Sequence, residues 1–382
     1  MLPYVERQLY YCAASGAATF VAWWLAGRSP RLRDAPRLRA LVVLTGLAVP
    51  AVLWMLGTRT LHEWNSTYQF IAVAHGFYVG GIWLPLVVML DILHRSRTGR
   101  RPDLPLAFCA LLFVGTAAYA LLIEPNRMQL VETVVPMTSW PAGGAPVRVV
   151  HVSDLQTVGP CERDRRAAEL INALQPDLIV VTGDFVAGPF SEPEPLIEEA
   201  RLFLGSLRAP LGVVVVAGHC DTPSIRARIF EGLGLIYLAN ESVQFDVREG
   251  RRLRIFGVSL HDEDLTALEP RADPGLVTLV ASHMPDLTYD LDGKGVDLHL
   301  AGHTHGGQVV LPFIGAPFTL SALPNKYARG LHEIGDHRIN VNAGIGMEGN
   351  HAPRIRFACP PQIDLLLLQG TGERLDRPAG PP

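Results

Sequence analysis

The sequence predicts two regions of different class: an N-terminal all-α bundle of about four transmembrane helices, and an α/β domain whose two packed sheets are covered by helices. Three observations predict this division. Long apolar segments fill the chain before residue 124, strands alternate with helices after it, and the second half of that later part is rich in strands. We therefore expect a transmembrane region at 1–123, an α/β domain at 124–370 and a disordered tail at 371–382.

Four N-terminal segments approach the ~20 apolar residues that a bilayer requires. Each is hydrophobic on all sides, whereas a surface helix of a soluble protein has a polar face. We expect the first to be a retained helix rather than a cleaved signal, and His75 to hydrogen-bond a neighbouring helix. The segments are Leu9–Ala26, Leu41–Leu56, Phe70–Val88 and Leu106–Ile123, of which the second is short and contains Pro50.

Arginine is concentrated in two connections of this bundle. Five arginines lie between Arg28 and Arg39, and four lie between Arg95 and Arg101. Because positively charged loops stay on the cytoplasmic side of a membrane, both ends of a four-helix bundle would lie on the other side. The sequence thus predicts a multi-pass protein of the cell membrane whose α/β domain is extracytoplasmic.

The later part of the chain alternates short β-branched runs with helical stretches. Predicted strands Val147–Val152, Leu178–Val181, Val213–Val216, Leu276–Ala281 and Val296–Ala301 accompany helices Cys161–Leu174 and Glu194–Leu207. Further strands are predicted at Val243–Val247, Leu253–Ser259, Gln308–Leu311, Arg338–Asn342 and Ile363–Leu368.

Side chains that bind metals follow five of these strands. They are Asp154 and Gln156, Asp184, His219, His283, and the pair His303 and His305. Each alone is more often a turn residue or a core residue, but open α/β sheets place ligand sites at the carboxyl ends of their strands. Carboxylate and imidazole ligands suit Mn, Fe or Zn, and a carboxylate such as Asp184 can bridge two cations about 3.5–4 Å apart. The set predicts a hydrolytic centre with two divalent transition-metal ions.

These motifs resemble the calcineurin-like metallophosphoesterases, in particular their membrane-attached bacterial branch. The family pattern is D-x-H, G-D, G-N-H-D/E, a histidine and G-H-x-H, and the resemblance covers about residues 124–370. It implies a four-layer αββα sandwich and a phosphoester hydrolase that attacks with a metal-bridging hydroxide. It also implies one metal on Asp154, Gln156, Asp184 and His305, and a second on Asp184, His219, His283 and His303.

Three positions depart from that pattern. Gln156 replaces a histidine, His219 replaces an asparagine, and Cys220 replaces the histidine thought to protonate the leaving group. A thiol with a pKa of roughly 8.5 is a poor acid at neutral pH, and Asp221, the neighbouring alternative, is ionised there if its pKa is about 4. Asp184, Cys220 and Asp221 are the catalytic candidates, and we expect a preference for good leaving groups, as in pyrophosphates and aryl esters.

The leading hypothesis is a membrane-anchored phosphoester hydrolase, with a phospholipid headgroup or a pyrophosphate-linked lipid as candidate substrate. The alternative is a weak or inactive metal-binding sensor that recognises a phosphorylated ligand. A transporter is disfavoured, since the predicted membrane segments hold no carboxylate. The net charge of −4 and the lack of a basic, aromatic-rich stripe argue against nucleic acid as a partner, and the five cysteines form no C-x-x-C zinc motif.

Two smaller features allow two interpretations each. Gly306 and Gly307 either bring backbone close to a phosphate or permit the turn that aims His303 and His305, and we favour the turn. Arg354 and Arg356 either grip substrate anions or are solvated strand residues, and the sequence does not decide between these.

Overall fold

The computed structural model describes residues 2–47, 74–188, 194–260, 262–268, 275–349 and 353–372. The chain divides into two compact units. One comprises Met1–Ile123 with Gly349–Ile355, and the other comprises Glu124–Glu348 with Arg356–Pro382.

In the part of the N-terminal unit that the structure describes, all regular structure is helical. Its helices are Leu2–Arg28, Pro30–Arg33, 36–47, Ala74–Arg97 and Leu104–Asn126, and the last two include π-helical turns at Tyr78–Trp83 and Tyr119–Ile123. Among the described residues, three stretches are long and apolar enough to cross a membrane: Gln8–Arg28, Ala74–Arg97 and Leu104–Asn126. They match the first, third and fourth predicted segments. The second, Leu41–Leu56, is helical to residue 47, and its remainder lies outside the described residues.

Hydrogen bonds between side chains join two of these helices. The Oγ atom of Ser15 lies 2.8 Å from Nδ1 of His75, and the Tyr78 hydroxyl donates to Gln8 at 2.8 Å. The prediction that His75 bonds a neighbouring helix is confirmed. The third helix also contains Asp91, beyond the predicted end at Val88, where its carboxylate pairs with Arg95 at 2.6 Å. The predicted membrane segments hold no carboxylate, but the helix that contains the third segment holds one.

The second unit is a sandwich of two six-stranded mixed sheets. In chain order the strands are β1 Gln129–Met137, β2 Val147–Val152, β3 Leu178–Thr182, β4 Val213–Val216, β5 Ile236–Tyr237, β6 Glu241–Asp246, β7 Arg252–Gly257, β8 Leu276–Ala281, β9 Leu298–Ala301, β10 Gly330–Ile334, β11 His337–Val341 and β12 Gln362–Gly370. The first sheet has the order β1-β12-β2-β3-β4-β5 and the second β10-β11-β9-β8-β7-β6. Strands β2, β3 and β4 are parallel neighbours, as are β7, β8 and β9.

Alternate residues of the first sheet face two different cores, as the two-residue period of a strand requires. Val149 and Val180 join Leu279 of the second sheet in the core between the sheets. Val150 and Ile179 face the opposite way, onto the helices Glu162–Ala173, Glu194–Ser206 and Pro223–Phe230. Because both faces are covered, these strands are apolar throughout, which is why the sequence predicted them so clearly.

The outer face of the second sheet has a thinner cover. Among the described residues it packs against the 3₁₀ helix Pro285–Leu291, where Leu287 and Leu291 meet Phe256 and Val280. The two packed sheets of the predicted αββα sandwich are thus present, but the fourth layer of this part of the chain is a 3₁₀ turn rather than an α-helix.

Three of the predicted strands, β2, β4 and β8, match the structure residue for residue. The prediction of a strand at Gln308–Leu311 is wrong, because this segment forms only two isolated β-bridges, Val309 to Phe357 and Leu311 to Gly315. Strand β1 was not predicted, since it lies at a sheet edge and most of its residues are not buried. The first two residues of the predicted tail are bonded to the sandwich unit: the backbone N–H groups of Thr371 and Gly372 donate to the carbonyls of Met137 and Trp140. The rest of the predicted tail, 373–382, lies outside the described residues.

Candidate metal centre

All seven predicted metal ligands meet at the carboxyl ends of β2, β3, β4, β8 and β9. Their ligand atoms form two overlapping groups within which no pair is more than 4.8 Å apart: Asp154, Asp184 and His283, and His219, His283 and His303. The two remaining side chains adjoin the first group. Nε2 of Gln156 lies 3.4 Å from Oδ2 of Asp184, and Nε2 of His305 lies 3.4 Å from Oδ1 of Asp154.

The backbone of these loops is unusual. The left-handed region is sparsely populated by residues other than glycine, and residues held there cost about 1–3 kcal/mol each and cluster at functional sites. Five of the seven ligands adopt it: Asp154 (φ 49°), Gln156 (φ 37°), Asp184 (φ 55°), His303 (φ 67°) and His305 (φ 50°). Backbone hydrogen bonds between the first two loops, such as Asp154 N–H to Gly183 at 2.9 Å, stabilise this conformation.

Two glycines bring the loops close enough together. A Cβ atom on Gly218 would lie 2.2 Å from Oδ1 of Asp184, and one on Gly302 would lie 2.6 Å from Oδ2 of Asp154. Both glycines immediately precede a candidate histidine ligand, His219 or His303. The G-H motifs therefore require glycine because the backbone passes directly over a carboxylate.

Carbonyl oxygens fix the orientation of two rings. Nδ1 of His283 faces the Thr182 carbonyl at 2.8 Å, and Nε2 of His303 faces the Leu320 carbonyl at 2.9 Å. A carbonyl only accepts, so the facing nitrogen carries the proton and the other nitrogen offers a lone pair. Nε2 of His283 and Nδ1 of His303 are then available to a metal, an arrangement typical of metal-bound histidines.

Several buried polar atoms here fit a bound cation. Within the described part of the chain, Oδ1 of Asp154, Nε2 of His283 and Nδ1 of His305 have no hydrogen-bond partner, although buried polar atoms are nearly always paired. Two donors bonded to one ion at about 2.0–2.2 Å, near a right angle, lie roughly 3 Å apart. The observed 3.5 Å from His283 Nε2 to Asp184 Oδ2 is close to that separation. Carboxylate and imidazole donors of this kind suit Mn, Fe or Zn.

The electrostatics of the cluster favour added positive charge. Burial raises the pKa of Asp154 to about 7 and lowers the pKa of His303 to about 3. Burial opposes protonation of His283, but Asp184 and Asp154 outweigh it and raise the pKa of that ring to about 10. An imidazolium thus compensates the carboxylates of the protein alone, and a divalent cation would do so more fully.

Comparison with known proteins identifies this arrangement. Residues 147–307, which span all seven ligands, match the calcineurin-like phosphoesterase family. These residues form a calcineurin-like phosphoesterase domain. The chain is accordingly a phosphoester hydrolase, as the resemblance predicted.

Three relatives illustrate the range of this group. An uncharacterized metallophosphoesterase of Bacillus subtilis, YkuE, is 28% identical over 70% of this chain and 94% of its own length. The phosphodiesterase YaeI of Escherichia coli is 27% identical over 64% of this chain and 90% of its own. The UDP-2,3-diacylglucosamine pyrophosphatase LpxG of Chlamydia trachomatis is 26% identical over 66% of this chain and 93% of its own.

Both carboxylate oxygens of Asp221, a catalytic candidate, accept hydrogen bonds from backbone N–H groups of the phosphoesterase domain. Its Oδ2 accepts from the N–H groups of Asp184 at 2.7 Å and Gly218 at 2.8 Å, and its Oδ1 accepts from Phe185 at 2.9 Å. Burial raises its pKa to about 7. These contacts argue that Asp221 positions the Asp184 loop against the His219 loop rather than donating a proton to a leaving group.

Cys220 lies at the edge of the cluster, where its backbone N–H donates to Oδ1 of Asp184 at 2.8 Å. Burial, together with the carboxylates of Asp184 and Glu348, raises the pKa of the thiol well above its ordinary value. The thiol is neutral at physiological pH and is an even weaker acid than the sequence indicated. The usual acid is absent from this position.

Neither interpretation of Arg356 was right. The side chain is fully buried, and its guanidinium donates to the carbonyls of Ala343 at 2.8 Å, Gly344 at 3.1 Å and Gly346 at 2.6 Å. Burial lowers its pKa to about 10. Since Gly346 N–H donates to the Asp154 carbonyl at 2.7 Å, Arg356 supports the loop behind the first metal ligand. Arg354 is half-exposed and lies outside the strands, so it is not a strand residue.

The glycine pair after His305 serves the turn, as we favoured. Gly307 has a φ of 81°, and a Cβ atom on it would lie 2.2 Å from Cβ of Ala316. Glycine is therefore needed for packing at this point, and no phosphate has to be invoked.

Glu348, which was not among the predicted site residues, extends the centre. Its Oε2 accepts from Nε2 of Gln156 at 3.1 Å, and Gln308 bonds both its N–H at 2.8 Å and its carbonyl at 3.0 Å. Glu348 follows the predicted strand Arg338–Asn342, so the rule that revealed the other ligands, polar residues after a strand, could have found it.

Proposed function

We propose that this chain is a membrane-anchored phosphoesterase with a two-metal centre and that it cleaves phosphoesters or pyrophosphates of lipid or envelope compounds. The observation that carries the two-metal proposal is the position of Asp184. Its Oδ2 lies 3.5 Å from Nε2 of His283, a ligand of the second set, and accepts a hydrogen bond at 3.4 Å from the side-chain amide of Gln156, whose oxygen is assigned to the first set. A carboxylate between two sets of donors is suited to bridge two cations.

The proposed assignment gives each cation four ligands. One metal would be held by Asp154, Gln156, Asp184 and His305, and the other would be held by Asp184, His219, His283 and His303. When bound, two such cations lower the pKa of a water and neutralise the charge of phosphoryl oxygens. The protein supplies the geometry: the backbone carbonyls of Thr182 and Leu320 fix two rings, and the Asp221 side chain fixes the Asp184 loop.

Cys220 determines the kind of substrate in this proposal. A thiol whose pKa is raised by burial does not protonate a departing alkoxide efficiently, so the substrate has to leave as a stable anion. Pyrophosphate esters meet that requirement. The similarity to LpxG, named as a pyrophosphatase of a diacylated sugar nucleotide, supports a lipid of this class.

The membrane part of the proposal is supported by the three apolar helices Gln8–Arg28, Ala74–Arg97 and Leu104–Asn126. If a fourth span lies between Gln8–Arg28 and Ala74–Arg97, as the sequence predicts, the arginine-rich connections are cytoplasmic and the phosphoesterase domain is extracytoplasmic.

A metal-exchange assay tests the hydrolase. The full chain in detergent is stripped with a chelator, reloaded with Mn, Fe or Zn, and given bis-nitrophenyl phosphate, nitrophenyl phosphate and a pyrophosphate diester. We expect turnover that depends on metal and is fastest for the pyrophosphate or aryl diester. Turnover that survives full metal removal would contradict the two-metal centre.

A metal-binding sensor is the second candidate, because Cys220 replaces the usual acid while the ligand cluster is complete. In the same assay a sensor would bind metal and be stabilised by inorganic phosphate, yet would turn over none of the three substrates with any of the metals.

A further inference from the structure

A small hairpin beside the metal centre presents apolar side chains to solvent. Leu311 and Gly315 exchange two backbone hydrogen bonds of 2.9 Å, and the turn between them carries Phe313 and Ile314. Phe313 is fully exposed, at 109% of its reference area, and Ile314 is 71% exposed. The φ of Phe313 is 66°, a conformation that bulky side chains rarely adopt. The backbone therefore holds an aromatic ring in water at a local conformational cost.

No other part of the described sandwich unit resembles this tip. The other strongly exposed apolar side chains of that unit, such as Leu202 at 59% and Tyr289 at 56%, are not adjacent in sequence, and none is as exposed as Phe313. Scattered exposed residues are normal on a soluble surface, whereas neighbouring ones indicate a contact with something apolar.

The charge of the segment around the hairpin favours one kind of partner. Between His303 and His332 the sequence contains no Asp or Glu, and its charged residues are Lys326 and Arg329. Lys326 is exposed and lies 4.6 Å from the Tyr327 ring. Apolar and basic side chains in a segment that itself holds no acidic residue, although Asp286 bonds its Ala322 N–H at 2.6 Å, complement the interface of a membrane that contains anionic lipids.

The hairpin is joined to the metal ligands on both sides. On one arm, Val310 N–H donates to the Phe357 carbonyl at 2.8 Å, and only five residues separate Leu311 from His305, a reach of at most roughly 20 Å. Beyond the other arm, the Leu320 carbonyl faces Nε2 of His303 at 2.9 Å. Any surface that holds the tip would therefore lie near the metal centre.

We propose that Leu311–Ile314 insert into the surface of an anionic lipid bilayer and hold the metal centre at the level of lipid headgroups. Interfacial apolar groups of this kind enter the boundary between headgroups and acyl chains. The inference rests on the proposed phosphoesterase function and specifies where its substrate lies, at the membrane surface rather than in the surrounding water.

Photocrosslinking tests the contact directly. The full chain, with p-benzoylphenylalanine in place of Phe313, is reconstituted into vesicles of phosphatidylcholine and phosphatidylglycerol that contain a radiolabelled phospholipid. The matched control carries the same residue in place of Leu202, an exposed residue on the helix Glu194–Ser206. We expect labelling by lipid at 313 to exceed that at 202 by about tenfold. Equal labelling at both positions, or crosslinks at 313 to protein alone, would overturn the proposal.

A kinetic comparison tests the consequence. The double variant Phe313→Ser, Ile314→Ser and the control Leu202→Ser are assayed with a soluble nitrophenyl diester and with a lipid-linked nitrophenyl diester in the same vesicles. Only the double variant should lose activity, by about tenfold and only on the lipid-linked ester. Equal loss on both esters would contradict a membrane contact. If the unmodified chain cleaves neither ester, the phosphoesterase proposal fails, whereas the crosslinking still reports on the surface.

Discussion

Nε2 of His283 lies 3.5 Å from Oδ2 of Asp184, while Nδ1 of the same ring faces the carbonyl oxygen of Thr182 at 2.8 Å. The ring is thus held by β3 and aimed at a carboxylate that follows the same strand. Because Oδ2 of Asp184 also accepts a hydrogen bond from the side-chain amide of Gln156 at 3.4 Å, this single oxygen lies between residues of the two proposed metal sites.

Replacement of the bridging carboxylate should remove both metals. For Asp184→Asn we expect bound transition metal to fall from about two ions per chain to nearly none, because an amide is a weaker ligand and does not bridge. His305→Ala should lose mainly one ion. Elemental analysis of the purified full chain measures both, with Glu169→Gln, at an exposed carboxylate, as the control. Normal metal content in Asp184→Asn would disprove the shared bridge.

Restoring a histidine at position 220 should change which substrates are cleaved. In Cys220→His an imidazole with a pKa of about 6.5 replaces a thiol that stays neutral, and general acid assistance contributes about 10²–10⁴ in rate. Hydrolysis of alkyl phosphodiesters should rise strongly, while hydrolysis of nitrophenyl esters, whose leaving group needs no proton, should change little. Cys220→Ser is the matched control. An unchanged alkyl-to-aryl rate ratio at normal metal content would place the acid elsewhere.

Removal of the buried guanidinium should destabilise the domain. Arg356→Met leaves several buried carbonyls without a donor, so we expect the free energy of unfolding to fall by about 3–5 kcal/mol. Thermal unfolding of the full chain in detergent measures this. Arg166→Met, at an exposed helical arginine, should have little effect. A small change in Arg356→Met would mean that water replaces the guanidinium.

Acid should destabilise the fold through His151. Burial lowers the pKa of this ring to about 3, whereas an unfolded chain has about 6.5, so the folded state favours the neutral ring. Above pH 6.5 the ring is neutral in both states, and its full contribution to stability is present. As the pH falls from 6.5 toward 3, the unfolded chain binds a proton that the folded chain does not, and the free energy of unfolding falls by about 2 kcal/mol by pH 5.

His151→Gln should therefore lose about 2 kcal/mol less stability than the unmodified chain between pH 7 and pH 5. Metal-free protein is used for both, so that loss of ligands does not contribute. The buried ring of His299, whose pKa is also lowered to about 3, keeps part of the acid sensitivity. An identical slope in His151→Gln and in the unmodified chain would disprove the assignment.

The orientation of the chain is tested by fused reporters. A phosphatase reporter that is active only outside the cytoplasm should be active when fused after Ile123 and silent when fused near Arg100, because the arginine-rich connection stays cytoplasmic. A cytoplasmic reporter at the same two sites is the control and should give the opposite pattern. If the first reporter is silent after Ile123 and active near Arg100, the number of spans before residue 74 differs from the predicted two.

Local rules in the sequence determined much of the architecture. The valine-rich strands β2, β4 and β8 were predicted to the residue, since a strand covered on both faces is apolar throughout and ends where polarity begins. The same change from apolar to polar marked each loop that holds a candidate ligand. These signals depend only on neighbouring residues, so they are present in the sequence itself.

Other properties were decided by contacts between distant segments. The role of Arg356 depends on carbonyls of 343–346, and that of Asp221 depends on N–H groups of the preceding loop, so neither follows from its own neighbours in sequence. The sequence also did not predict the exposure of Phe313, because an apolar run predicts burial. Only the tertiary fold places this apolar segment on the surface. The sequence by itself determined which residues could bind metal. The tertiary structure decided which of their atoms point at one another, because that depends on left-handed backbone and on bonds between loops far apart in the chain.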